Sequence, residues 1–252
     1  MHASTKRLTA STPRTPRVLK WRVVDIVVAS VIGVASGVIF WAWGLAWSPL
    51  SALLAFTPGL EGLLAGGWLF AGVLGGLIIR KPGAAVYTEV VAAVVSMLIG
   101  TQWGFSTLIW GIIEGLGAEI VLALFLYANW RLGVALLAGA GAGVAVGLLD
   151  TTFTSYAALD VGYKAVYIVS AVVSGTVLAG LLSWLAVRGL ARTGALSRFA
   201  AGREASRVGQ TGQNPSGQNP SGQHPSGQDP SGQDGPGESA LRQTETPSQT
   251  TR

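Results

Sequence analysis

Four acidic side chains lie within long apolar segments of this sequence. They are Asp25, Glu89, Glu114 and Glu119. Charged side chains are costly inside a bilayer, so each of the four is a candidate for a functional role. Asp25 follows Arg22 by about one helical turn, and we interpret it as half of an interfacial ion pair. Glu89 lies about five residues, or roughly 8 Å along a helix, beyond a basic turn, and we expect it to reach toward that turn.

Glu114 and Glu119 lie deeper in their segment, and both need partners. They are five residues apart, roughly 140° around an α-helix, so they need not share a face. Trp110 and Glu114 do share one, and Thr107 extends it. A hydroxyl, an indole and a carboxylate on one face suit a small heterocycle with an amino group and ring nitrogens. The alternative is a structural glutamate bonded to a neighbouring helix.

The tryptophans give a second indication of a binding pocket. Most of the nine lie at one end of the apolar segments. An aromatic belt at the lipid headgroups explains any one of them, but their convergence with polar residues favours an outward-facing pocket, with Asp150 on the same side. The substrate-binding candidates are Trp43, Trp47, Trp103, Trp110, Glu61, Gln102, Glu114, Glu119 and Tyr156.

Small residues recur at four-residue spacing in two segments. The two stripes are Ala29, Gly33, Gly37 and Gly139, Gly143, Gly147. This spacing lets two helix backbones approach closely. We interpret the second stripe as internal packing. The first stripe lies on a terminal helix beside a basic arm, where it is free to meet another subunit, although internal packing is the alternative there too.

Several kinds of chemistry are excluded by missing residue types. The sequence has no cysteine, and its two histidines, His2 and His224, lie in polar tails. These absences exclude a thiolate nucleophile, a histidine-based catalytic triad and a His- or Cys-ligated metal site inside the membrane. No G-x-x-x-x-G-K-[ST] motif occurs, so this chain has no P-loop for ATP. We therefore expect no catalytic residues, no metal ligands and no cofactor in this chain.

The composition indicates that a bilayer surrounds these segments. Half of the 252 residues are apolar, only 12% are charged, and the mean hydropathy is +0.48. The 35 glycines suit apolar helices that pack closely in lipid. The sequence predicts an all-α integral membrane protein whose residues 23–190 form a bundle of six transmembrane helices. The predicted spans are 23–47, 60–79, 84–100, 106–127, 132–149 and 165–187.

Polar segments flank and interrupt the spans. Residues 1–22 are a basic arm, and residues 191–252 are a tail that becomes a Gly/Gln/Pro/Ser repeat from about 207. A segment without apolar residues cannot bury a core, so we expect the repeat to be disordered. Between the first two spans, Ser48 to Gly59 contains two prolines and is predicted to be a loop folded over the outer mouth.

The distribution of Lys and Arg sets the orientation. With the N-terminus inside, the arm carries six basic residues, the turn at 80–83 two, the turn at 128–131 one and the segment after the last span, from Arg188 onward, seven. Sixteen of the seventeen basic residues are then cytoplasmic, and only Lys164 is outside. The positive-inside rule therefore predicts that both termini are cytoplasmic. The same distribution explains the net charge of +5, so we expect no nucleic-acid binding.

Three stretches resemble a known family. They read WRVVDIVVASVIGVASGVIFWAWGLAW at 21–47, RKPGAAVYTEVVAAVVSMLIGTQWG at 80–104 and WGIIEGLGAEIVLAL at 110–124. Together they resemble the YkoE family, the membrane-embedded substrate-specific (S) components of energy-coupling factor (ECF) transporters associated with hydroxymethylpyrimidine and thiamine uptake. The resemblance extends over about residues 20 to 190.

The resemblance implies a six-helix S component of the bacterial cell membrane that binds its vitamin near the outer face. It also implies a membrane coupling (T) subunit and two cytoplasmic ATPase subunits as partners, so that ATP is used in trans. In S components the small-residue face of the first helix contacts the coupling subunit, and the matching positions here are Ala29, Gly33 and Gly37.

The leading hypothesis is therefore a transporter subunit, not an enzyme, that binds thiamine or its hydroxymethylpyrimidine precursor. A membrane scaffold without a ligand is one alternative, in which the buried acids would only bond neighbouring helices. An ion- or proton-coupled carrier that uses Glu114 and Glu119 is another, although no internal symmetry between the two halves of the sequence supports it.

Overall fold

The computed structural model describes residues 19–193 and the isolated positions 196 and 202. Most of the predicted basic arm, 1–22, and almost all of the predicted tail, 191–252, lie outside the described residues. The repeat from about 207 lies wholly outside them. The arm and the tail therefore stay predictions.

Every regular element within residues 19–193 is a helix, which confirms the all-α prediction. The α-helices are α1 (Val23–Leu54), α2 (Phe70–Ile79), α3 (Ala84–Ile99), α4 (Ser106–Leu124), α5 (Leu132–Phe153), α6 (Val161–Ser174) and α7 (Leu182–Arg192). Two 3-10 helices (Leu60–Gly67 and Ser155–Ala158) and one π-helical segment (Gly175–Leu181) complete the set.

The first helix is longer than predicted. Where the sequence predicts a span that ends at 47 and then a loop, α1 continues through Pro49 to Leu54. Proline removes one backbone hydrogen bond but is tolerated in membrane helices, where neighbouring groups can satisfy the freed carbonyl. The predicted loop at 48–59 is therefore wrong in its first half, and only residues 55–59 connect α1 to the next element.

The second predicted span, 60–79, is a broken helix. The 3-10 helix Leu60–Gly67 meets α2 at a bend of 40°. Its glycines lie directly against other helices: a Cβ on Gly62 would lie 2.4 Å from the Tyr167 carbonyl oxygen, and one on Gly66 would lie 2.3 Å from Ser174 Oγ. The Ser174 hydroxyl in turn hydrogen-bonds the backbone of this segment. Close packing and a polar partner thus hold the irregular segment in place.

The last predicted span, 165–187, is part of a 32-residue helical rod, Val161–Arg192, formed by α6, the π segment and α7. The π segment packs against α5, where a Cβ on Gly139 would lie 2.2 Å from the Gly175 carbonyl oxygen. A Cβ on Gly143 would similarly lie 2.5 Å from the Ala171 carbonyl oxygen. These approaches confirm that the second small-residue stripe is internal packing.

Four helices within the described residues are long and apolar enough to cross a membrane: α1, α4, α5 and the rod 161–192. The bent pair formed by Leu60–Gly67 and α2 is a fifth candidate if it counts as one span. The remaining apolar helix, α3, has only 16 residues, shorter than the ~20 that a 30 Å hydrocarbon core usually needs. The chain is a multi-pass helical membrane protein.

The two ends of the bundle differ in chemistry. We call one the basic end, because it carries Arg22, Arg80, Lys81 and Arg131, and the other the aromatic end, because it carries Trp43, Trp47, Trp68 and Trp103. At the basic end, Asp25 pairs with Arg22 at 3.1 Å, as predicted. It also pairs with Lys81, which the sequence did not indicate. This ion pair joins the start of α1 to the turn between α2 and α3.

The first small-residue stripe is filled by another helix of the same chain. Ala29, Gly33 and Gly37 are all buried, and α1 packs along α3. A Cβ on Gly33 would lie 2.6 Å from a Val91 methyl carbon, and one on Gly37 would lie 2.7 Å from the Ala92 carbonyl oxygen. The prediction that these positions contact a partner subunit is therefore wrong. The exposed face of α1 carries β-branched residues instead.

We predict that Gly33→Leu destabilises the protein, because its side chain would overlap Val91 and the backbone at Thr88. Overpacking of this kind costs about 1–3 kcal/mol or more. Thermal unfolding in detergent, followed by tryptophan fluorescence, measures the effect. Val34→Leu is the matched control, because Val34 is 47% exposed on the other face of α1 and should tolerate the change. Equal unfolding temperatures for the two variants would contradict the α1–α3 packing.

Candidate ligand-binding site

A cavity of about 300 Å³ opens at the aromatic end of the bundle. Five of the α-helices and both 3-10 helices contribute to its wall. Its lining residues are Phe40, Trp47, Ala65, Trp68, Ala93, Trp103, Ser106, Thr107, Trp110, Gly111, Glu114, Val146, Asp150, Thr154, Ser155, Tyr156 and Tyr167. The wall is therefore mostly apolar and aromatic, with two carboxylates and several hydroxyl groups.

Three tryptophan rings form one side of the mouth. Trp68 packs against Trp47 with ring centroids 5.4 Å apart and against Trp103 at 5.3 Å, and Trp47 meets Trp103 at 6.1 Å. Such edge-to-face and tilted contacts contribute about 0.5–1.5 kcal/mol each beyond burial. The rings support one another, so the mouth keeps its shape without a ligand.

Trp103 lies on the loop between α3 and α4. Gly100 and Gly104, on either side of it, have φ angles of +112° and +55°, which residues with a side chain rarely adopt. The Gln102 side chain donates to the Gly44 carbonyl at 3.3 Å, and a Cβ on Gly44 would come within 3.1 Å of the Trp103 ring. The loop thus folds back onto α1 and holds the Trp103 ring over the cavity.

Asp150 organises the other side of the cavity. Its Oδ1 accepts a hydrogen bond from the Trp110 indole at 2.7 Å, and its Oδ2 accepts one from the Tyr167 hydroxyl at 2.6 Å. Asp150 is 8% exposed, so these bonds form in a largely desolvated site. Hydrogen bonds to a charged group are the stronger kind, and they fix the orientation of both rings.

Two polar groups in the cavity wall have no partner within the described part of the chain. No hydrogen bond reaches the Glu114 carboxylate, although the residue is only 6% exposed. Thr107 Oγ is buried without a partner as well. Buried polar groups are normally hydrogen-bonded, because an unmade bond costs about 1–3 kcal/mol. The Glu114 carboxylate is therefore available to accept a hydrogen bond from a ligand, and the Thr107 hydroxyl is available to donate or accept one.

Tyr156 closes the cavity beside Asp150. Its ring lies 5.1 Å from that of Tyr167 and 5.4 Å from that of Tyr163. Burial, together with the negative charges of Glu61 and Asp150, raises the pKa of the Tyr156 hydroxyl above its usual value. Tyr156 therefore keeps its proton near neutral pH and can act as a donor.

Five of the nine predicted binding residues line this cavity: Trp47, Trp103, Trp110, Glu114 and Tyr156. Three others support the wall from behind. Trp43 donates to the Leu64 carbonyl at 3.0 Å, Glu61 accepts from the Tyr163 hydroxyl at 2.5 Å, and Gln102 bonds the backbone of α1. Whether any of these residues contacts a substrate stays a prediction.

Glu119, the ninth predicted residue, lies at the basic end, away from the cavity. Its carboxylate accepts hydrogen bonds from the backbone N–H groups of Gly83 at 2.6 Å and Ala85 at 2.8 Å, and from the Tyr127 hydroxyl at 2.7 Å. The first N–H groups of a helix have no partner inside the helix, so Glu119 caps the start of α3. Its inclusion among the binding residues is therefore corrected to a structural role.

Glu89 also caps a helix. Its Oε2 accepts the backbone N–H of Gly72, at the start of α2, at 2.5 Å. The expectation that it reaches a basic neighbour is therefore wrong. Its Oε1 has no partner among the described residues, and the side chain is completely buried.

The sequence argument did not name Tyr167, Trp68 or Phe40 as site residues, and it placed Asp150 in a loop. Because α5 continues to Phe153, Asp150 lies inside the bundle instead. The spacing of Tyr163 and Tyr167, one turn apart on α6, was the available signal for an aromatic face on that helix. Trp68 gave no such signal, because it lies at the break between two helices.

Three comparisons with known proteins agree with this architecture. A family model described as an ABC-type cobalt transport system, permease component, matches residues 24–145. A Bacillus subtilis (strain 168) protein named YkoE, described as an HMP/thiamine permease, is 36% identical over 193 residues, covering 74% of this chain and 93% of that protein. A crystal structure of an S-component of an ECF transporter is 33% identical, with a TM-score of 0.74, covering 79% of this chain and 100% of that one.

We predict that Asp150→Asn destabilises the protein by about 1–3 kcal/mol, because an amide NH₂ would face one of the two ring donors that the carboxylate now accepts. Asp160→Asn is the matched control. Asp160 caps α6 by accepting the Tyr163 N–H at 3.1 Å, and Asn caps helices as well as Asp does. Thermal unfolding in detergent measures both variants. If Asp150→Asn lowers the unfolding temperature no more than Asp160→Asn does, the organising role of Asp150 is contradicted.

Proposed function

We propose, since this chain belongs to the YkoE family of ECF S components, that it is the substrate-binding membrane subunit of an importer for a thiamine-related pyrimidine. The observation that carries the proposal is the aromatic cavity lined by Glu114, which accepts no hydrogen bond from the described residues, and by Thr107, whose hydroxyl is buried without a partner among them. A scaffold without a ligand has no use for such groups. Thiamine and hydroxymethylpyrimidine share the aminopyrimidine ring, and the proposal covers both.

The chemistry of the cavity suits that ring. A flat heterocycle can stack on the Trp110 indole, whose N–H is already bonded to Asp150 and so does not compete for the ligand. The amino group of the pyrimidine would donate to Glu114, and a ring nitrogen would accept from the Thr107 hydroxyl. A cavity of about 300 Å³ matches the lower end of the usual range for small-molecule sites.

The cavity also carries a negative charge, which favours a cationic ligand over an anionic one. Glu114 and Asp150 line it, and none of the lining residues in the described part of the chain is Lys, Arg or His. Aromatic walls attract cations through the faces of their rings, with an effect of about 2 kcal/mol in a desolvated site. The positively charged thiazolium ring of thiamine fits this environment, whereas a phosphate ester would be repelled.

Cobalt appears in the description of the matching family model, but the described residues hold no group of three or more His, Cys, Asp or Glu side chains that could bind a metal ion. Soft or borderline metals such as cobalt prefer imidazole and thiolate ligands. The aromatic wall instead supports an organic ligand.

The topology proposed from the sequence is six crossings with both termini in the cytoplasm of a bacterial cell. The bent pair Leu60–Gly67 and α2 then forms one crossing, and α3 forms another despite its length. Lys and Arg of the described turns lie at the basic end, which this topology places inside. The aromatic cavity consequently opens to the outside, where a substrate arrives.

Transport also needs an energy source that this chain does not supply. The sequence has no P-loop, so the proposal assigns ATP hydrolysis to two cytoplasmic ATPase subunits, linked through a membrane coupling subunit. The coupling subunit must dock on a surface other than Ala29, Gly33 and Gly37, because α3 covers them.

The first test measures ligand affinity. Glu114→Gln and Trp110→Ala should each weaken thiamine binding at least about tenfold, roughly 1.4 kcal/mol, because they remove the acceptor and the stacking face. Tryptophan-fluorescence titration of the detergent-purified protein gives the dissociation constants. Trp130→Ala is the control, because Trp130 lies under Arg80 at the basic end. Unchanged affinity in both cavity variants would remove this cavity from consideration.

The second test concerns orientation. The natural chain has no cysteine, so single cysteines can be placed at positions 15, 158 and 230. In intact cells, a membrane-impermeant thiol reagent should label position 158 and leave positions 15 and 230 unmodified. Labelling at position 230 but not at position 15 would require an odd number of crossings and would contradict the proposed topology.

A further inference from the structure

Glu89 is the buried acid that neither the bundle nor the proposed ligand fully satisfies. It is 1% exposed, and within residues 19–193 only one of its two carboxylate oxygens has a partner, the Gly72 N–H of α2. A Cβ on Gly115 of α4 would lie 3.1 Å from the Glu89 Cβ. A Cβ on Gly111, which lines the cavity, would lie 3.4 Å from the Glu89 carbonyl oxygen, so Glu89 lies beside the cavity wall.

Among the residues that the structure describes, the neighbourhood of Glu89 contains other acids but no basic side chain. Glu114 and Asp150 line the same cavity and Glu89 packs against the α4 turn that carries Glu114, so the negative charge of Glu114 repels those of both Glu89 and Asp150. The helices α1, α2, α4 and α5 contain no Lys, Arg or His.

The other titratable groups on the surrounding elements have partners of their own. Asp25 pairs with Arg22 and Lys81, and Glu119 caps α3. Glu61 bonds Tyr163, and Tyr87 bonds Ser30. None of them offers a positive charge to the row formed by Glu89, Glu114 and Asp150.

These three carboxylates differ in their hydrogen bonds. Asp150 accepts from two side chains, Glu89 from one backbone N–H, and Glu114 from no described group. Three unpaired negative charges in a desolvated row would repel one another strongly. A buried pair of like-charged carboxyl groups relieves this repulsion by keeping a proton. The proton is therefore shared by Glu89 and Glu114, the two acids that accept the fewest hydrogen bonds.

We propose that Glu89 and Glu114 hold one proton between them while the cavity is empty, and that a positively charged ligand displaces it. The inference rests on the proposed function, because it needs a cationic ligand in this cavity. On binding, the carboxyl O–H bond breaks, its electron pair stays on the carboxylate, and the proton leaves to solvent through the open mouth. The ligand's positive charge replaces that of the proton, so the total charge of the site does not change.

Two consequences distinguish this exchange from simple binding. The apparent affinity for the cation rises as the pH rises, approaching tenfold per pH unit while the pair keeps its proton. A neutral pyrimidine releases no proton, because it brings no charge to replace it. Thiamine and hydroxymethylpyrimidine therefore differ in their proton release even if both bind.

Glu89 acts here as a positioning residue, and it can be altered without removing its cap. In Glu89→Gln the amide oxygen can still accept the Gly72 N–H, while the negative charge that shares the proton is lost. Glu119→Gln makes the same change in a glutamate that caps α3 at the other end of the bundle. A purely structural effect would appear in both variants, whereas an effect on proton release is expected only in Glu89→Gln.

The experiment is isothermal titration calorimetry of the detergent-purified full chain with thiamine, at one pH near 7, in phosphate and in Tris. The two buffers differ in ionisation enthalpy, so the difference in observed heat gives the number of protons released. We expect a value near one for the natural chain and for Glu119→Gln. We expect a value near zero for Glu114→Gln and for Glu89→Gln. Hydroxymethylpyrimidine should give a value near zero with every variant.

The outcomes separate this inference from the proposed function. Thiamine binding without proton release by the natural chain would overturn the inference and leave the proposed function in place. Full proton release by Glu114→Gln would also overturn it. If Glu89→Gln does not fold, Glu114→Gln and the pH dependence of the natural chain's affinity still decide the matter. Binding of neither thiamine nor hydroxymethylpyrimidine would overturn both the proposed function and the inference.

Discussion

Backbone N–H groups at the start of a helix have no water to bond inside a bilayer, and much of this structure depends on how the chain supplies their partners. Glu119 of α4 accepts the N–H groups of Gly83 and Ala85 at the start of α3, and Glu89 of α3 accepts that of Gly72 at the start of α2. Each glutamate therefore ties one helix to the next. These bonds make a short α3 and a broken second span possible, and the break sets the Leu60–Gly67 segment beside the cavity.

Glu89 and Glu119 cap helices, whereas the third buried glutamate, Glu114, does not. Glu114 shares its helix with Glu119, yet it meets no described donor and faces a cavity of aromatic rings. Its low exposure limits its contact with bulk water, and no described donor replaces that contact. A bound ligand can supply the missing hydrogen bond. Asp150 shows the contrasting arrangement. Its carboxylate accepts hydrogen bonds from Trp110 and Tyr167, and these bonds orient the two rings.

The sequence predicted those features that depend on one helix, and it failed on those that depend on which helices are neighbours. Apolar runs gave the order and approximate bounds of the helices, and the i, i+4 spacing placed Trp110 and Glu114 on one cavity-facing side. The same reasoning treated Glu114 and Glu119 alike, because nothing within α4 reveals that the start of α3 lies beside Glu119. The stripe Ala29, Gly33, Gly37 was assigned to a partner subunit for a similar reason, since the spacing shows that something packs there but not what.

Side-chain size along α4 helps to explain why the aromatic cavity lies at its end of the bundle. Toward the basic end, α4 packs tightly against its neighbours: a Cβ on Gly115 would lie 2.8 Å from the Val86 backbone, and one on Gly117 would lie 2.6 Å from the Gly141 carbonyl oxygen. Nearer the aromatic end, the cavity side of α4 carries the larger residues Trp110 and Thr107 beside Gly111. The Trp110 ring of α4 lines the cavity, and its bond to Asp150 of α5 prevents the ring from turning into the open space. The same residue that offers a stacking surface therefore also keeps the cavity open.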